Sequence, residues 1–211
     1  MTNDPSGIFV FGASGHAKVV IDAIEREARH KVVFVCDDAE ELHGGTLMGY
    51  PVIGGRSALL AQTDTQRGVV GIGDNAARRH VTEWLLARGH SLATVVHSAA
   101  HVGRDVQFGD GSVVFAGCVI NSGSKIGRHV IVNTGATVDH DCELGDGSHI
   151  APGAHLCGGV VIGADTLVGA GTTIIPGVRV GARVVIGAGS TVLSDVPEGS
   201  RVGGSPCRPL A

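Results

Sequence analysis

Every sixth residue between Val102 and Val192 is apolar, and this register holds without a break. A period of six matches neither an amphipathic helix, which repeats every ~3.6 residues, nor a strand, which alternates every two. It is typical of a solenoid of short strands and tight turns. The sixteen positions are aliphatic except for one phenylalanine: Val102, Phe108, Val114, Ile120, Ile126, Val132, Val138, Leu144, Ile150, Leu156, Ile162, Val168, Ile174, Val180, Ile186 and Val192.

Two other positions of the repeat restrict its geometry. The residue after the apolar one is often glycine (103, 109, 127, 145, 163, 169, 181 and 187), and we expect these glycines to supply the φ > 0 of the turns. The residue four places after the apolar one is small in most repeats. We expect these small side chains to point into a narrow coil: Ser112, Cys118, Ser124, Ala136, Cys142, Ser148, Ala154, Thr166, Thr172 and Ser190.

Composition excludes several classes of partner. The 211-residue chain has a formal net charge of −4, which argues against binding to nucleic acid or an anionic membrane. No segment reaches the ~18 apolar residues that a membrane span needs, and we expect no signal peptide. Its five cysteines are scattered along the chain. We therefore expect buried thiols in a reducing cytoplasm, with neither a disulfide framework nor a metal site.

The first hundred residues follow a different pattern, in which apolar runs alternate with helical segments. We predict strands at 7–12, 31–36 and 68–73, and helices at 16–29, 56–62 and 75–88, with Val95 and Val96 leading into the repeat. This alternation predicts an α/β, Rossmann-like domain with a parallel sheet. The patterning changes between 89 and 100, so the predicted domains are 1–95 and 96–211.

Three polar loops follow the predicted strands, and they would share the carboxyl edge of the sheet. They are Gly12–Ala17 (GASGHA), the pair Asp37 and Asp38, and Gly71–Asn75 (GIGDN). Backbone N–H groups and a helix N-terminus in such a position bind phosphate, so the loops predict a nucleotide. The first loop is not a strict G-x-G-x-x-G, and a purely structural βα turn is the alternative.

The solenoid carries one polar interruption, from Asn133 to Cys142, followed by His149. Within it, His140 is flanked by Asp139 and Asp141. A carboxylate beside a histidine fixes its tautomer and raises its basicity, which suits it to accept a proton. The alternative is a solvated histidine in a turn, which is how we interpret His129 and His155, since neither has such acidic neighbours.

Together these segments resemble the hexapeptide-repeat sugar O-/N-acyltransferases, which include nucleotide-amino-sugar N-acetyltransferases and sialic acid O-acetyltransferase relatives. The resemblance covers essentially the whole chain. It rests on G-A-S-G-H, D-D, G-I-G-D-N, the N-[TS]-x-x-x-[VI]-[ED]-H-[ED] motif at 133–141, and the ending Gly204-Ser205-Pro206-Cys207-Arg208, with cysteine where alanine is usual. It implies a left-handed parallel β-helix in which three hexapeptides form one coil and residues 18 apart stack. About five coils follow.

The resemblance also implies an activity, acetyl-CoA-dependent N-acetylation of a nucleotide-linked 4-amino-4,6-dideoxy sugar, UDP-linked rather than GDP-linked. His140 is implied as the general base and Asp141 as its partner, with no metal and a homotrimeric assembly. The residues implied for acetyl-CoA are His149, Gly158, Ala170 and Ala188; those for the nucleotide sugar are Ser14, Gly15, His16, Asp37, Asp38, Gly73 and Asn133. On the 18-residue grid, His140 and His149 mark the chemical end of a groove, and Ala170 and Ala188 stack in line beyond them.

Three other hypotheses stay open at this point. The first keeps the fold but acetylates a hydroxyl group of sialic acid or another sugar. The second is a non-catalytic, nucleotide-binding scaffold, and the Asp-His-Asp segment argues against it. The third is an NAD-binding oxidoreductase domain fused to a solenoid, and the imperfect glycine fingerprint argues against that.

Overall fold

The computed structural model describes residues 6–210, which divide into two compact units. The first unit ends at Ser98 and the second begins at Ala99. The division falls within the segment 89–100, where the sequence pattern changes from helical spacing to a period of six.

The first unit is an α/β domain built on a four-stranded parallel sheet, as the alternating pattern predicted. Its strands are ordered β2-β1-β5-β6. The elements are β1 (Ser6–Phe11), α1 (Gly15–Glu27), β2 (His30–Cys36), a 3₁₀ turn (Glu40–Leu42), β3 (Thr46–Leu47), β4 (Tyr50–Pro51), α2 (Arg56–Leu60), β5 (Arg67–Val70), α3 (Asn75–Leu86), β6 (Ser91–Leu92) and β7 (Val95–Val96).

The core of this unit explains its strands and helices. β1 is buried from Ile8 to Phe11 because helices and loops cover both faces of a parallel sheet. Phe9 stacks on Phe34 of the neighbouring strand, with ring centroids 6.0 Å apart. Helix α3 begins after Asp74, whose side chain accepts a hydrogen bond from the Ala77 N–H at 2.8 Å. This N-cap fixes the start of α3 directly after the third polar loop.

The second unit is a β-solenoid whose two-residue strands form three parallel faces. Face 1 contains Val113–Val114, Ile131–Val132, His149–Ile150, Leu167–Val168, Val185–Ile186 and Arg201–Gly203. Face 2 contains His101–Val102, Val119–Ile120, Thr137–Val138, His155–Leu156, Thr173–Ile174 and Thr191–Val192. Face 3 contains Gln107–Phe108, Lys125–Ile126, Glu143–Leu144, Val161–Ile162 and Arg179–Val180. We call the turns between them edges 1–2, 2–3 and 3–1.

The solenoid has about six turns, against the five that the uninterrupted repeat indicates. Most neighbouring strands pair 18 residues apart, as Thr137 does with His155. The last turn is shorter, because Val185 pairs with Arg201 after only 16 residues. The chain therefore leaves the six-residue register after Val192 and still completes another turn. Arg208–Pro209 then returns antiparallel to Arg201–Gly203 and ends the described chain.

The interior of the solenoid agrees with the repeat. From Val114 onward every sixth-residue position is buried, whereas Val102 and Phe108 at the first turn are half-buried. The small residues four places later are also buried. Two of them are cysteines, and burial raises the pKa of Cys118 and Cys142 to about 11. All five cysteines are free thiols in this structure, although Cys157 and Cys207 are half-buried rather than buried.

The glycines after the apolar positions have a different role from the one predicted. The positive φ angles lie two residues further on, as in Gly123 (φ 77°) and Asp141 (φ 58°). The predicted glycines are needed because consecutive turns approach closely: a Cβ on Gly145 would lie 2.6 Å from the Ala164 nitrogen. At Gly187 the same distance relaxes to 3.6 Å. In the residues from 6 to 210, no helix is long and apolar enough to cross a membrane.

Candidate active site

His140 lies at edge 2–3, in the turn between Thr137–Val138 and Glu143–Leu144. The turn closes because Asp141 adopts a left-handed conformation, which aspartate tolerates better than most residues. Its backbone is held by both neighbouring turns: the Asp141 N–H donates to the Ser122 carbonyl at 3.1 Å, and the Gly159 N–H donates to the His140 carbonyl at 2.9 Å. His140 therefore projects from a rigid ladder.

The imidazole of His140 is held by Asp141 and open to solvent. Nδ1 lies 2.8 Å from Asp141 Oδ2, and the two side chains are 63% and 74% exposed. A carboxylate can only accept, so Nδ1–H donates and Nε2 keeps its lone pair. The hydrogen bond with Asp141, followed by the negative charge of Asp139, raises the pKa of His140 above its usual value. This arrangement produces an accessible proton acceptor.

Gly158 gives the imidazole its space. It lies one turn after His140, and a Cβ built on it would be 2.6 Å from both Cε1 and Nε2 of the ring. Any side chain at this position would push the ring away. The predicted association of Gly158 with the histidine is therefore present in the structure as a steric requirement.

Asp139 holds the backbone of His140, and it is held in turn by a residue that sequence reasoning missed. Its Oδ1 accepts the His140 N–H at 2.9 Å and the Asn121 Nδ2–H at 2.8 Å. These two bonds lower the pKa of Asp139 below its usual value. Asn121 lies 18 residues before Asp139, so the solenoid period was the signal that could have identified it.

His149 and Asn133 form a second polar group. The Asn133 amide nitrogen lies 3.1 Å from His149 Nε2, and because the amide donates, Nε2 is the acceptor and the ring is neutral. The Asn133 oxygen accepts the N–H of Thr134 at 2.8 Å. Asn133 lies at edge 1–2, and His149 is the first residue of a face-1 strand beside it.

Ala170 and Ala188 stack as predicted, on edge 1–2. The Gly171 N–H donates to the Pro152 carbonyl at 3.0 Å, and the Gly189 N–H donates to the Ala170 carbonyl at 2.8 Å, so successive turns are in register. Edge 1–2 carries only uncharged residues from 133–136 to 187–190. It forms a strip of small residues next to His149.

Within one chain, the predicted residues divide between two edges of the solenoid. His140, Asp141 and Gly158 lie at edge 2–3, whereas Asn133, Ala170 and Ala188 lie at edge 1–2. The spacing explains this, since His149 follows His140 by nine residues, which is half of an 18-residue turn. The single groove expected from the grid is therefore not formed by these residues along one edge of one chain.

The three polar loops of the first unit do lie at one edge of its sheet, because each follows a parallel strand. The first and second are joined by Asp37, whose Oδ2 accepts the Ala13 N–H at 2.6 Å and whose Oδ1 accepts the Ala39 N–H at 2.9 Å. Ser14 and Gly15 begin α1 and are exposed. The Asp37 carboxylate thus orders the loop that precedes α1.

Asp38 points toward Arg56 rather than toward the backbone of its own loop. Its Oδ2 lies 3.0 Å from Arg56 Nε, and its Oδ1 accepts the Arg56 N–H at 3.1 Å. The Arg56 guanidinium lies 5.0 Å from the centre of the Trp84 ring. This pair places an exposed carboxylate and a partly exposed guanidinium next to each other.

His16 and Gly73 join the first and third loops. A Cβ on Gly73 would lie 3.5 Å from the His16 ring, so the two residues are in close contact. Burial, together with the positive charge of Arg78, lowers the pKa of His16 to about 4. His16 is therefore neutral at physiological pH and offers a hydrogen bond rather than a charge. Arg78 itself is buried and donates to the Gly73 carbonyl at 3.0 Å.

His129 and His155 lie away from these groups. His155 is exposed on face 2, with Nδ1 2.9 Å from the Thr137 hydroxyl, and His129 is half-buried in a left-handed turn at edge 3–1. Among residues 6–210, no three His, Cys, Asp or Glu side chains are grouped so that they could hold a metal ion. The proton acceptor at His140 is the reactive group that the described structure offers.

Comparisons with known proteins match both units. Residues 7–85 match the family described as PglD N-terminal domain, and residues 123–158 and 159–194 match the bacterial transferase hexapeptide repeats. A comparison with curated proteins found no match.

Several solved structures are similar over nearly the whole chain. The acetyltransferase domain of PglB from Neisseria gonorrhoeae, in complex with acetyl coenzyme A, is 38% identical, with coverage of 98% of this chain and 100% of that chain and a TM-score of 0.91. PerB from Caulobacter crescentus, in complex with CoA and GDP-perosamine, is 36% identical, with 98% of each chain covered and a TM-score of 0.92. WeeI from Acinetobacter baumannii, at 22% identity, shows a similar fold (TM-score 0.65) over 97% of this chain and all of that chain. The chain thus belongs to the PglD-like family of hexapeptide-repeat sugar N-acetyltransferases.

Proposed function

We propose that this protein transfers the acetyl group of acetyl-CoA to the amino group of a nucleotide-linked 4-amino-4,6-dideoxy sugar in the cytoplasm. The observation that carries the proposal is the accessible His140 imidazole, oriented by Asp141 at 2.8 Å with its Nε2 available. The relatives that contain acetyl-CoA, or CoA with GDP-perosamine, support the two substrate classes. The neutral His16 and the ordered loop at Asp37 support a nucleotide subsite in the first unit.

In the proposed reaction, His140 acts as a general base. The sugar amine attacks the thioester carbonyl carbon, so that a C–N bond forms while Nε2 of His140 takes a proton from the nitrogen. The C–S bond then breaks, and the CoA sulfur leaves with the proton returned by the imidazolium. Asp141 stabilises the imidazolium while it exists. No acyl-enzyme forms, and no residue other than His140 exchanges a proton.

The remaining predicted residues bind the two substrates. His149 is neutral and positioned by Asn133, so it suits a hydrogen bond to the thioester carbonyl. Ala170 and Ala188 leave the backbone of edge 1–2 accessible to the pantetheine arm. Ser14, Gly15, His16, Asp37, Asp38 and Gly73 are proposed for the nucleotide sugar, with UDP favoured over GDP, and Asn133 also contributes to this site.

We propose a homotrimer because the two halves of the site lie on different edges of one chain. A neighbouring copy can place its edge 1–2 against edge 2–3 of the first, as closed cyclic symmetry allows. The distribution of charge supports this arrangement. Ion pairs occupy face 3 and edge 3–1, namely Lys125–Glu143, Arg128–Asp146 and Arg183–Glu198, whereas edge 1–2 is uncharged. Face 3 is therefore the side expected to remain in solvent.

The direct test is CoA thiol release from acetyl-CoA with a panel of UDP- and GDP-linked 4-amino sugars. Free sialic acid serves as the hydroxyl acceptor for comparison. We expect thiol release with an amino sugar and an amide in the product by mass spectrometry. Release with sialic acid alone would replace N-acetylation with O-acetylation, and release with no acceptor would contradict both.

Shared sites predict complementation between two inactive variants. His140→Ala removes the base, and Ala170→Trp fills edge 1–2. Co-refolded in equal amounts, each site has one chance in two of each intact half, so about a quarter of wild-type activity returns if neighbouring subunits share it. The two variants refolded separately and then mixed as intact oligomers are the control. No recovery after co-refolding would show that each chain builds its own site.

The raised pKa of His140 predicts the pH dependence of the reaction. A base with a raised pKa stays protonated, and therefore inactive, up to a higher pH, so kcat/KM rises with pH through that pKa. Asp141→Asn removes the leading cause of the shift and moves the acidic limb to lower pH, while kcat falls because the tautomer is no longer fixed. The substrate amine titrates identically with both proteins, so the difference in kcat/KM profiles belongs to the enzyme. Superimposable profiles would exclude Asp141 as the partner.

A further inference from the structure

The two acidic neighbours of His140 hold different parts of it. Asp141 contacts the ring at Nδ1, whereas Asp139 accepts the backbone N–H at 2.9 Å. Asp139 makes both of its side-chain hydrogen bonds through Oδ1, and the second comes from Asn121 at 2.8 Å. The ring and the backbone of the histidine are therefore fixed by separate carboxylates.

Asn121 is the part of this arrangement that belongs to another turn. It follows the face-2 strand Val119–Ile120, and its own N–H donates to the Val138 carbonyl at 2.8 Å. The Asp139 N–H in turn donates to the Leu156 carbonyl at 2.9 Å. Asn121 and Asp139 thus occupy equivalent positions in successive turns, and both are half-buried. A side-chain amide in this position can restrain the carboxylate without adding a charge.

We propose that Asn121 is a positioning residue for catalysis, which holds the Asp139 carboxylate against the backbone of His140 and thereby fixes the place and basicity of the general base. The inference rests on the proposed role of His140. A hydrogen bond to an ionised acceptor is stronger than one between neutral groups, so its loss affects the position of the carboxylate. Asn121 touches neither the reacting atoms nor the imidazole.

The electrostatic consequence has a definite sign. The charged groups nearest to the imidazole are Asp139 and Asp141; the preceding turn, 121–124, has no ionisable side chain, and the following turn, 157–160, has only the Cys157 thiol. If Asn121 is removed, the Asp139 carboxylate is free to turn toward water. The pKa of Asp139 then rises, and the pKa of His140 falls because the negative charge moves away.

The test uses Asn121→Ala, Asp139→Ala and the double variant in the full chain. The pKa of His140 is measured by NMR titration of its ring signals without substrate, with His140→Gln to assign them, and kcat and both KM values are measured by thiol release. For Asn121→Ala we expect a lower pKa of His140, a kcat reduced about 10-fold and both KM values within about twofold. In the Asp139→Ala background the Asn121 change adds no further loss, because the two residues act as a unit.

Lys125→Ala is the matched control, since Lys125 and Glu143 also pair across one turn, 3.0 Å apart, but on face 3. It should leave the pKa of His140 and kcat unchanged. The proposal is overturned if Asn121→Ala leaves the pKa of His140 in place, or if its effect on kcat adds fully to that of Asp139→Ala. If His140→Ala is fully active while the pKa still moves, the proposed function fails and the Asn121 contact stands.

Discussion

Replacing His140 with alanine is expected to lower kcat by about 10²–10⁴-fold, the contribution usual for a general base. The side chain is 63% exposed and its ring has no part in the solenoid core, so the fold should survive. Thiol release gives kcat, and circular dichroism with thermal unfolding checks the fold. The KM for acetyl-CoA should change little, because the proton is transferred only as the amine attacks.

His129→Asn is the control for this variant. His129 is another solenoid histidine in a left-handed turn (φ 57°), and asparagine tolerates that conformation. We expect wild-type kcat for His129→Asn. A His140→Ala enzyme whose kcat lies within threefold of wild type would remove His140 from the mechanism, and an equal loss in both variants would indicate damage to the solenoid instead.

Adding one methyl group at Gly158 is expected to reduce kcat about 100-fold, because a displacement of a catalytic group by about 1 Å has effects of this size. The new Cβ would lie 2.6 Å from Nε2 of His140, and the ring must turn away from Asp141 to avoid it. Gly158 has no positive φ, so alanine meets no backbone strain. The exposed ring can move at little cost, and we expect the free energy of unfolding to fall by less than about 1 kcal/mol.

The control for Gly158→Ala is the same substitution in the His140→Ala background. With no imidazole to displace, the added methyl group should cause no further loss of kcat. NMR titration supplies a second measurement, since a ring released from Asp141 titrates at a lower pH. A full additional loss in the double variant would mean that Gly158 acts on a substrate and not through His140.

Much of the fold follows from local patterns in the sequence. The period of six predicted the solenoid because a short strand and a tight turn repeat the same burial every six residues, and the buried positions agree from Val114 onward. The strand–helix alternation before it predicted the parallel sheet. His140 and Asp141 were likewise predictable, because they are adjacent in the chain and their contact is local.

The role of the glycines was not predictable in the same way. A glycine in a turn usually indicates φ > 0, but Gly103 and Gly145 are required by backbone atoms of the next turn, which would lie 2.7 Å and 2.6 Å from a Cβ at these positions. These contacts join residues about 18 positions apart. Only the stacked structure reveals which of two neighbouring turn positions carries the unusual φ and which carries the close approach.

What the sequence determined by itself was the periodicity, the acid–histidine–acid segment and the polar loops, since all three depend on residues close together in the chain. The tertiary structure decided the rest. It put His140 and Ala170 on different edges, because their separation is not a multiple of a full turn, and it brought Asn121 to Asp139 across one turn. It also turned Asp37 toward the Ala13 backbone and lowered the pKa of His16 through burial next to Arg78. Such contacts depend on how the turns and strands stack, and the order of residues along the chain does not specify them.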